Sequence, residues 1–157
     1  MPHAIRRGDI PGVQLRYERT YPLTAEELWV WLTEPSLQRL WLADSVETTE
    51  DGEQRWVLGR EDEAEGSYAE RVRTLSVDEP STWIAAFEWL DQDWKSATRL
   101  AFSISPTDPA ELSVVQDGFH RLSLSECLTV WEHYRRRWRT AFDRLAEAVE
   151  RAQFADD

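Results

Sequence analysis

Hydrophobic and polar residues alternate along most of the chain before residue 117, a pattern typical of β-strands with one buried face. The first strand is predicted over residues 13–21. Turn residues such as Asp51-Gly52 separate the later segments from one another. Those segments predict six further strands over residues 45–49, 55–60, 68–77, 82–90, 96–105 and 111–116.

Two short helices are predicted between the first and second strands. Thr24 and Glu27 have the spacing of a capping box, which begins a helix that runs from Ala25 to Thr33. Pro35 is predicted to end this helix, and Ser36 to cap the second one. The series of strands is therefore interrupted once, directly after its first member.

The last segment has helical periodicity instead. Apolar side chains recur every three or four residues from Leu128 to Val149, and Ser125 can cap a helix that runs to about Gln153. A helix of roughly 25 residues spans nearly 40 Å, and only the sheet offers an apolar surface of that length. We therefore predict an α+β fold in which a curved antiparallel sheet wraps around the long C-terminal helix.

Length and composition favour one soluble domain. The chain has 157 residues, of which 41% are hydrophobic and 31% are charged, and this length leaves little for a second core. We expect residues 1–12 to form a loose N-terminal arm and residues 13–153 to form the single domain. No apolar run approaches the ~18 residues of a membrane helix, and no leader pattern is present, so the expected location is the cytoplasm.

The net charge and the small number of metal-ligand residues limit the classes of partner and cofactor that we expect. The net charge of −12 argues against binding nucleic acid or anionic membranes, because both attract basic proteins. Cys127 is the only cysteine, and the three histidines lack ligand spacing, so we expect no metal and no cofactor. His133 is assigned a structural or surface role. Four nearby arginines are predicted to form a solvated face of the helix, where they pair with acids such as Glu132. These arginines are Arg135, Arg136, Arg137 and Arg139.

Tryptophan is the outlier in the composition, with nine residues in the chain. Six of them fall on faces predicted to meet between the sheet and the long helix, namely Trp29, Trp41, Trp83, Trp89, Trp131 and Trp138. The predicted faces leave out Trp31, Trp56 and Trp94. The six rings either fill the space between sheet and helix as a core or surround a guest molecule.

Three short stretches, taken with the order of the elements, carry a resemblance to a known family. They are Arg19-Thr20-Tyr21-Pro22 followed by Leu28-Trp29 and Leu32, then Leu40-Trp41-Leu42, and finally Gln116-Asp117-Gly118-Phe119 followed by Trp138 and Leu145. The chain resembles the helix-grip fold of the START and birch-pollen-allergen superfamily, also called SRPBCC. Within it, the chain is most similar to the bacterial family related to the C-terminal domain of the activator of heat-shock-protein-90 ATPase. The His-Glu pair of that family is Gln116-Asp117 here, and Arg137 replaces its late glycine.

The resemblance implies a cavity between the sheet and the long helix. We expect it to bind a small apolar or aromatic molecule, in a setting of stress response or secondary metabolism. The candidate lining residues are Trp29, Trp41, Trp83, Phe87, Trp89, Phe102, Gln116, Tyr134 and Trp138.

Two other functions stay open. One is a protein-interaction module of the co-chaperone type that uses the acidic surface, and Trp31 leaves a homodimer open as well. The other is an enzyme of the polyketide-cyclase or hydrolase kind. Binding is favoured over catalysis because the sequence contains no Ser-His-Asp order, nucleophile elbow or phosphate loop, so no catalytic residue is assigned.

Overall fold

The computed structural model describes residues 13–59, 68–90, 97–119 and 124–155, with backbone alone at 124–126 and 155. The predicted N-terminal arm and Trp94 lie outside these ranges. The described elements follow one another as β1 (Gln14–Tyr21), α1 (Ala25–Thr33), α2 (Pro35–Trp41), β2 (Ser45–Thr48), β3 (Gln54–Leu58), β4 (Tyr68–Asp78), β5 (Thr82–Trp89), β6 (Thr98–Ile104), β7 (Ala110–Asp117) and α3 (Leu124–Ala155).

The strands form one curved antiparallel sheet in the order β1-β7-β6-β5-β4-β3-β2. From β2 to β7 the spatial order follows the chain, whereas β1 returns across the sheet to pair with β7, from Gln14 opposite Asp117 to Tyr21 opposite Ala110. The long α3 covers the concave face of this sheet. The predicted α+β helix-grip architecture is confirmed.

The start of α1 is the predicted capping box. The Glu27 backbone N–H donates to Thr24 Oγ1 over 3.2 Å, and the Thr24 N–H donates to Glu27 Oε1 over 3.0 Å. The predicted boundary before α2 is wrong, because Pro35 is the first residue of that helix and Glu34 is its N-cap. Proline suits this position since its missing N–H would have no partner in the first turn.

The core between α3 and the sheet is aromatic. Phe87, Phe102 and Trp138 are fully buried, and the Phe102 and Trp138 rings meet edge to face with their centroids 5.9 Å apart. Trp56, predicted to lie off this face, is also fully buried. The prediction was wrong because Trp56 and Leu58 share one face of β3, and that face points towards α3.

Trp31 departs from its prediction in a similar way. It is half-buried and packs against the core rather than standing on the surface. Its carbonyl oxygen accepts a hydrogen bond of 3.0 Å from Trp41 Nε1. This bond joins the α1 backbone to the Trp41 side chain of α2, and the Trp31 indole is partly covered by the core rather than fully on the surface.

Candidate functional site: a cleft along the long helix

The α3 helix presents two rows of side chains to a cleft beside it, because residues four apart lie above one another on a helix. The inner row consists of Thr129, His133, Arg137 and Ala141, and the outer row of Leu128, Glu132, Arg136, Thr140 and Arg144. Arg137 and Ala141 are buried, whereas every member of the outer row is exposed. The inner row thus forms the floor of the cleft and the outer row its rim.

The opposite wall comes from three other elements. Trp41 of α2, Leu58 of β3 and Tyr68 of β4 face the helix there. The cleft has a volume of about 710 Å³, within the range of roughly 300–1,000 Å³ found for small-molecule sites. Its helical side runs from Leu128 to Arg144, which is about 24 Å along the axis.

A buried ion pair closes the floor of the cleft. The Arg137 guanidinium donates to the Glu70 carboxylate over 2.8 and 3.2 Å, and to the Leu42 carbonyl over 2.6 Å. Its side chain is 3% exposed and that of Glu70 is 0% exposed. Burial lowers the pKa of Arg137, but the charge and hydrogen bonds of Glu70 outweigh that effect, so the pKa is raised. The prediction that Arg137 belongs to a solvated face is therefore wrong, because Glu70 gives it a partner inside the protein.

The imidazole of His133 lies in an aromatic cluster at the middle of the inner row. It stacks on Trp89 with the ring centroids 4.2 Å apart, and it meets Tyr134 and Tyr68 edge to face at 4.8 and 5.0 Å. Its Nε2 atom is buried and has no hydrogen-bond partner. The sequence predicted a structural or surface role for His133, and the structure places this residue half-buried in the cleft.

Burial and positive charge together keep His133 neutral. The pKa is lowered to about 4, first by desolvation and then by the charges of Arg137 and Arg136. Both guanidinium groups act on the imidazole although Glu70 neutralises one of them. Two guanidinium groups therefore lie near this imidazole, in a chain whose net charge is −12.

The nine predicted lining residues separate into four places. Trp41 lies in the wall of the cleft, and Trp89 and Tyr134 lie behind it, against the imidazole. Trp29 and Trp83 line a smaller pocket of about 290 Å³, between α1, α2 and the far end of β4 and β5.

The other four lining candidates lie in the closed core. Phe87 and Phe102 pack there with Trp138, which donates a hydrogen bond of 2.8 Å from Nε1 to Gln116 Oε1. Gln116 Nε2 donates in turn to Thr98 Oγ1 over 3.0 Å. Both ends of the Gln116 amide are engaged inside the protein. Contact of these residues with a ligand stays a prediction.

Sequence reasoning missed most of the cleft. The four-residue spacing of the two α3 rows was visible in the sequence, but the face that meets β3 and β4 was not. Glu70 was a possible acid–base group from the sequence, but its pairing with Arg137 was not predicted, because the two residues lie 67 positions apart. His133 was named but not placed in a pocket. His3 and His120 lie outside the described residues.

The described residues contain neither a metal-ligand cluster nor a helix that could cross a membrane. No group of three or more His, Cys, Asp or Glu side chains in the described ranges is arranged to hold a metal ion. Although α3 is long, no helix in the described part of the chain has an apolar stretch sufficient to cross a bilayer.

Comparison with known proteins identifies the fold. No protein-family model and no curated protein matches the chain. Among solved structures, the AHSA1 protein from Silicibacter pomeroyi is 18% identical, with 87% of this chain and 97% of that chain covered and a TM-score of 0.66. DynU16, a protein in the dynemicin biosynthetic locus, is 16% identical, with 87% and 47% covered and a TM-score of 0.66. Protein Ms6760 from Mycobacterium smegmatis is 12% identical, with 90% and 93% covered and a TM-score of 0.69. At these identities the likeness establishes a shared fold.

Proposed function

We propose that the protein binds a small, largely apolar molecule in the cleft between α3 and the wall formed by α2, β3 and β4. The observation that carries the proposal is a preformed opening of about 710 Å³ whose wall consists of Trp41, Leu58 and Tyr68. An opening of this size, with one apolar wall and polar side chains along the other side, can hold a small molecule and fix its orientation. An indole and a phenol ring on one wall suit a flat or elongated apolar molecule.

The state of the titratable groups favours binding over acid–base catalysis. The Nε2 atom of His133 is buried against other side chains and does not reach the open cleft. Both oxygens of Glu70 accept hydrogen bonds from Arg137, so the carboxylate is engaged inside the protein rather than directed at a bound molecule. A general acid or base must be within hydrogen-bonding reach of the reacting atom, and neither the buried Nε2 atom of His133 nor the paired carboxylate of Glu70 meets that condition.

The structural neighbours support a metabolite as the ligand. The same fold occurs in AHSA1 of Silicibacter pomeroyi and in DynU16 of the dynemicin biosynthetic locus. Because DynU16 comes from a biosynthetic locus, we propose that this chain also functions in secondary metabolism.

The test is a thermal-shift screen with neutral probes of graded size, namely 2-naphthol, flavone and dodecanol, read together with the tryptophan fluorescence of the whole protein. A ligand present at 100 times its Kd stabilises the folded state by about 2.7 kcal/mol, which raises the Tm of a chain of this size by roughly 5–10 °C. Binding of a probe beside Trp41 is also expected to change the indole emission.

A matched pair of variants locates the binding. Leu128→Trp adds an indole at one end of the cleft, and Leu40→Trp adds the same group on α2 outside it. The two leucines are 58% and 53% exposed, so neither change disturbs the core. We expect at least a tenfold loss of affinity in Leu128→Trp alone. Equal losses in both variants, or no shift with any probe, would contradict the proposed cleft.

A further inference from the structure

The outer row of α3 places three hydrogen-bond donors along one rim of the cleft. Arg136, Thr140 and Arg144 follow one another at four-residue steps, about 6 Å apart along the helix axis. All three side chains are exposed. A guanidinium, a hydroxyl and a second guanidinium in one line can together surround the oxygens of an anion.

Arg136 keeps its charge available. Glu132 lies one turn before it, at the spacing that commonly gives an ion pair on a helix. The Glu132 carboxylate instead lies 3.8 Å from Arg135. Among the residues that the structure describes, no carboxylate lies within ion-pair distance of Arg136.

Arg144 is held in place by an ion pair that engages only part of its guanidinium group. Its Nη2 atom lies 3.3 Å from Asp44 Oδ1, and both side chains are partly exposed. The other oxygen of Asp44 accepts a hydrogen bond of 2.8 Å from the Gly59 backbone N–H. A guanidinium has five N–H donors, so Arg144 retains donors for a second anion.

The surroundings of the row agree with an anionic occupant. The charges of Arg136 and Arg137 disfavour protonation of His133 in the neighbouring row, in agreement with positive charge on the helical side of the cleft. Across from the row, Trp41 and Leu58 offer only an apolar surface and an indole. One side of the cleft therefore attracts negative charge, and the other side accommodates a hydrocarbon or aromatic body.

We propose that the ligand is an amphipathic acid, whose carboxylate binds along Arg136, Thr140 and Arg144 while its apolar body packs against Trp41, Leu58 and Tyr68. This inference rests on the proposed function and specifies the class of its ligand. A planar carboxylate matches the paired N–H groups of a guanidinium, and the contact is strongest beside a surface that excludes water.

The test compares acids with neutral amides of the same shape by titration calorimetry. Three pairs graded in size serve as probes, namely naphthalene-2-carboxylate, anthracene-2-carboxylate and decanoate, each with its carboxamide. We expect each acid that binds to do so about tenfold more tightly than its amide at 50 mM salt. The preference is expected to shrink at 500 mM salt, because the contact is partly open to solvent.

Two variants with the same change in charge decide whether the row is responsible. Arg136→Gln removes a donor from the rim, whereas Arg139→Gln removes an exposed arginine on α3 that does not line the cleft. The preference for acids is expected to disappear in Arg136→Gln and to persist in Arg139→Gln. Equal effects of the two variants would show long-range charge rather than a site, and would overturn the inference.

The remaining outcomes separate this inference from the proposed function. If acids and amides bind the wild-type protein equally well, the anion site is refuted while the apolar cleft stands. If neither member of any pair binds, and the neutral probes of the thermal-shift screen fail too, both proposals are refuted.

Discussion

Replacing His133 with phenylalanine tests the electrostatics of the cleft directly. Phenylalanine retains a ring that can stack on Trp89, where the imidazole centroid now lies 4.2 Å away. It removes the buried Nε2 atom, which has no hydrogen-bond partner. At pH 7 the variant is therefore expected to be as stable as the wild type or slightly more stable.

The contribution of His133 to stability depends on pH, and the sign of this dependence follows from the direction of the pKa shift. Folding lowers the pKa of His133 from 6.5 to about 4, so the unfolded chain binds a proton more readily than the folded protein. The stability that the neutral imidazole provides is complete above pH 6.5 and is lost as the pH falls towards 4.

The size of the effect follows from the shift. The difference of 6.5 − 4 = 2.5 pKa units corresponds to an upper limit of about 3.4 kcal/mol. Because the side chain is only partly buried, solvent screening reduces this figure, and we expect roughly 1–2 kcal/mol.

Urea unfolding of the wild type and of His133→Phe at pH 7.5, 6.5, 5.5 and 4.5 measures this difference. Carboxylates titrate in both proteins, so subtraction of the two curves leaves the contribution of the imidazole. We expect the free energy of unfolding of the wild type to fall by roughly 1–2 kcal/mol relative to the variant between pH 7.5 and 4.5. A difference that is constant across this range would refute the reasoning, because His133 would then titrate alike in the folded and unfolded states.

Two further predictions concern buried polar contacts, and urea unfolding at pH 7 measures both. Arg137→Met leaves the Glu70 carboxylate buried without its partner, which is expected to lower the free energy of unfolding by about 3–5 kcal/mol. The double variant with Glu70→Met is expected to lose less stability than the sum of the two single variants. Additive losses would show that the pair is not coupled. Gln116→Leu removes the acceptor for Trp138 Nε1 and the donor to Thr98 Oγ1. This change is expected to lower the free energy of unfolding by about 2–4 kcal/mol. A loss of stability below about 0.5 kcal/mol would mean that these groups find other partners.

Local signals in the sequence were sufficient for the framework of the fold. The alternation of apolar residues predicted β5 over 82–90, and the structure has it over Thr82–Trp89. The Thr24 capping box predicted the start of α1 at Ala25, where the structure has it. Such signals depend on residues within a few positions of one another, so they hold before any tertiary contact forms.

The cleft depends on contacts between distant parts of the chain, which a single sequence does not display. Arg137 looked like one of four solvated arginines until β4 brought Glu70 beside it. Trp56 was assigned to the wrong face because a strand of five residues gives little evidence for which of its sides is buried. The sequence therefore indicated a space beside the long helix, but not the residues that surround it.

The order of the elements along the chain has a consequence for synthesis on the ribosome. Trp56, Phe87 and Phe102 belong to the sheet face that α3 covers. The α3 helix follows β7, however, and its last residue, Ala155, lies 38 positions after Asp117, the last residue of β7. At about 5–20 residues per second, the ribosome needs roughly 2–8 seconds to make that stretch. Throughout this interval the nascent chain presents a row of uncovered aromatic rings, so early collapse without the helix competes with folding in every round of translation.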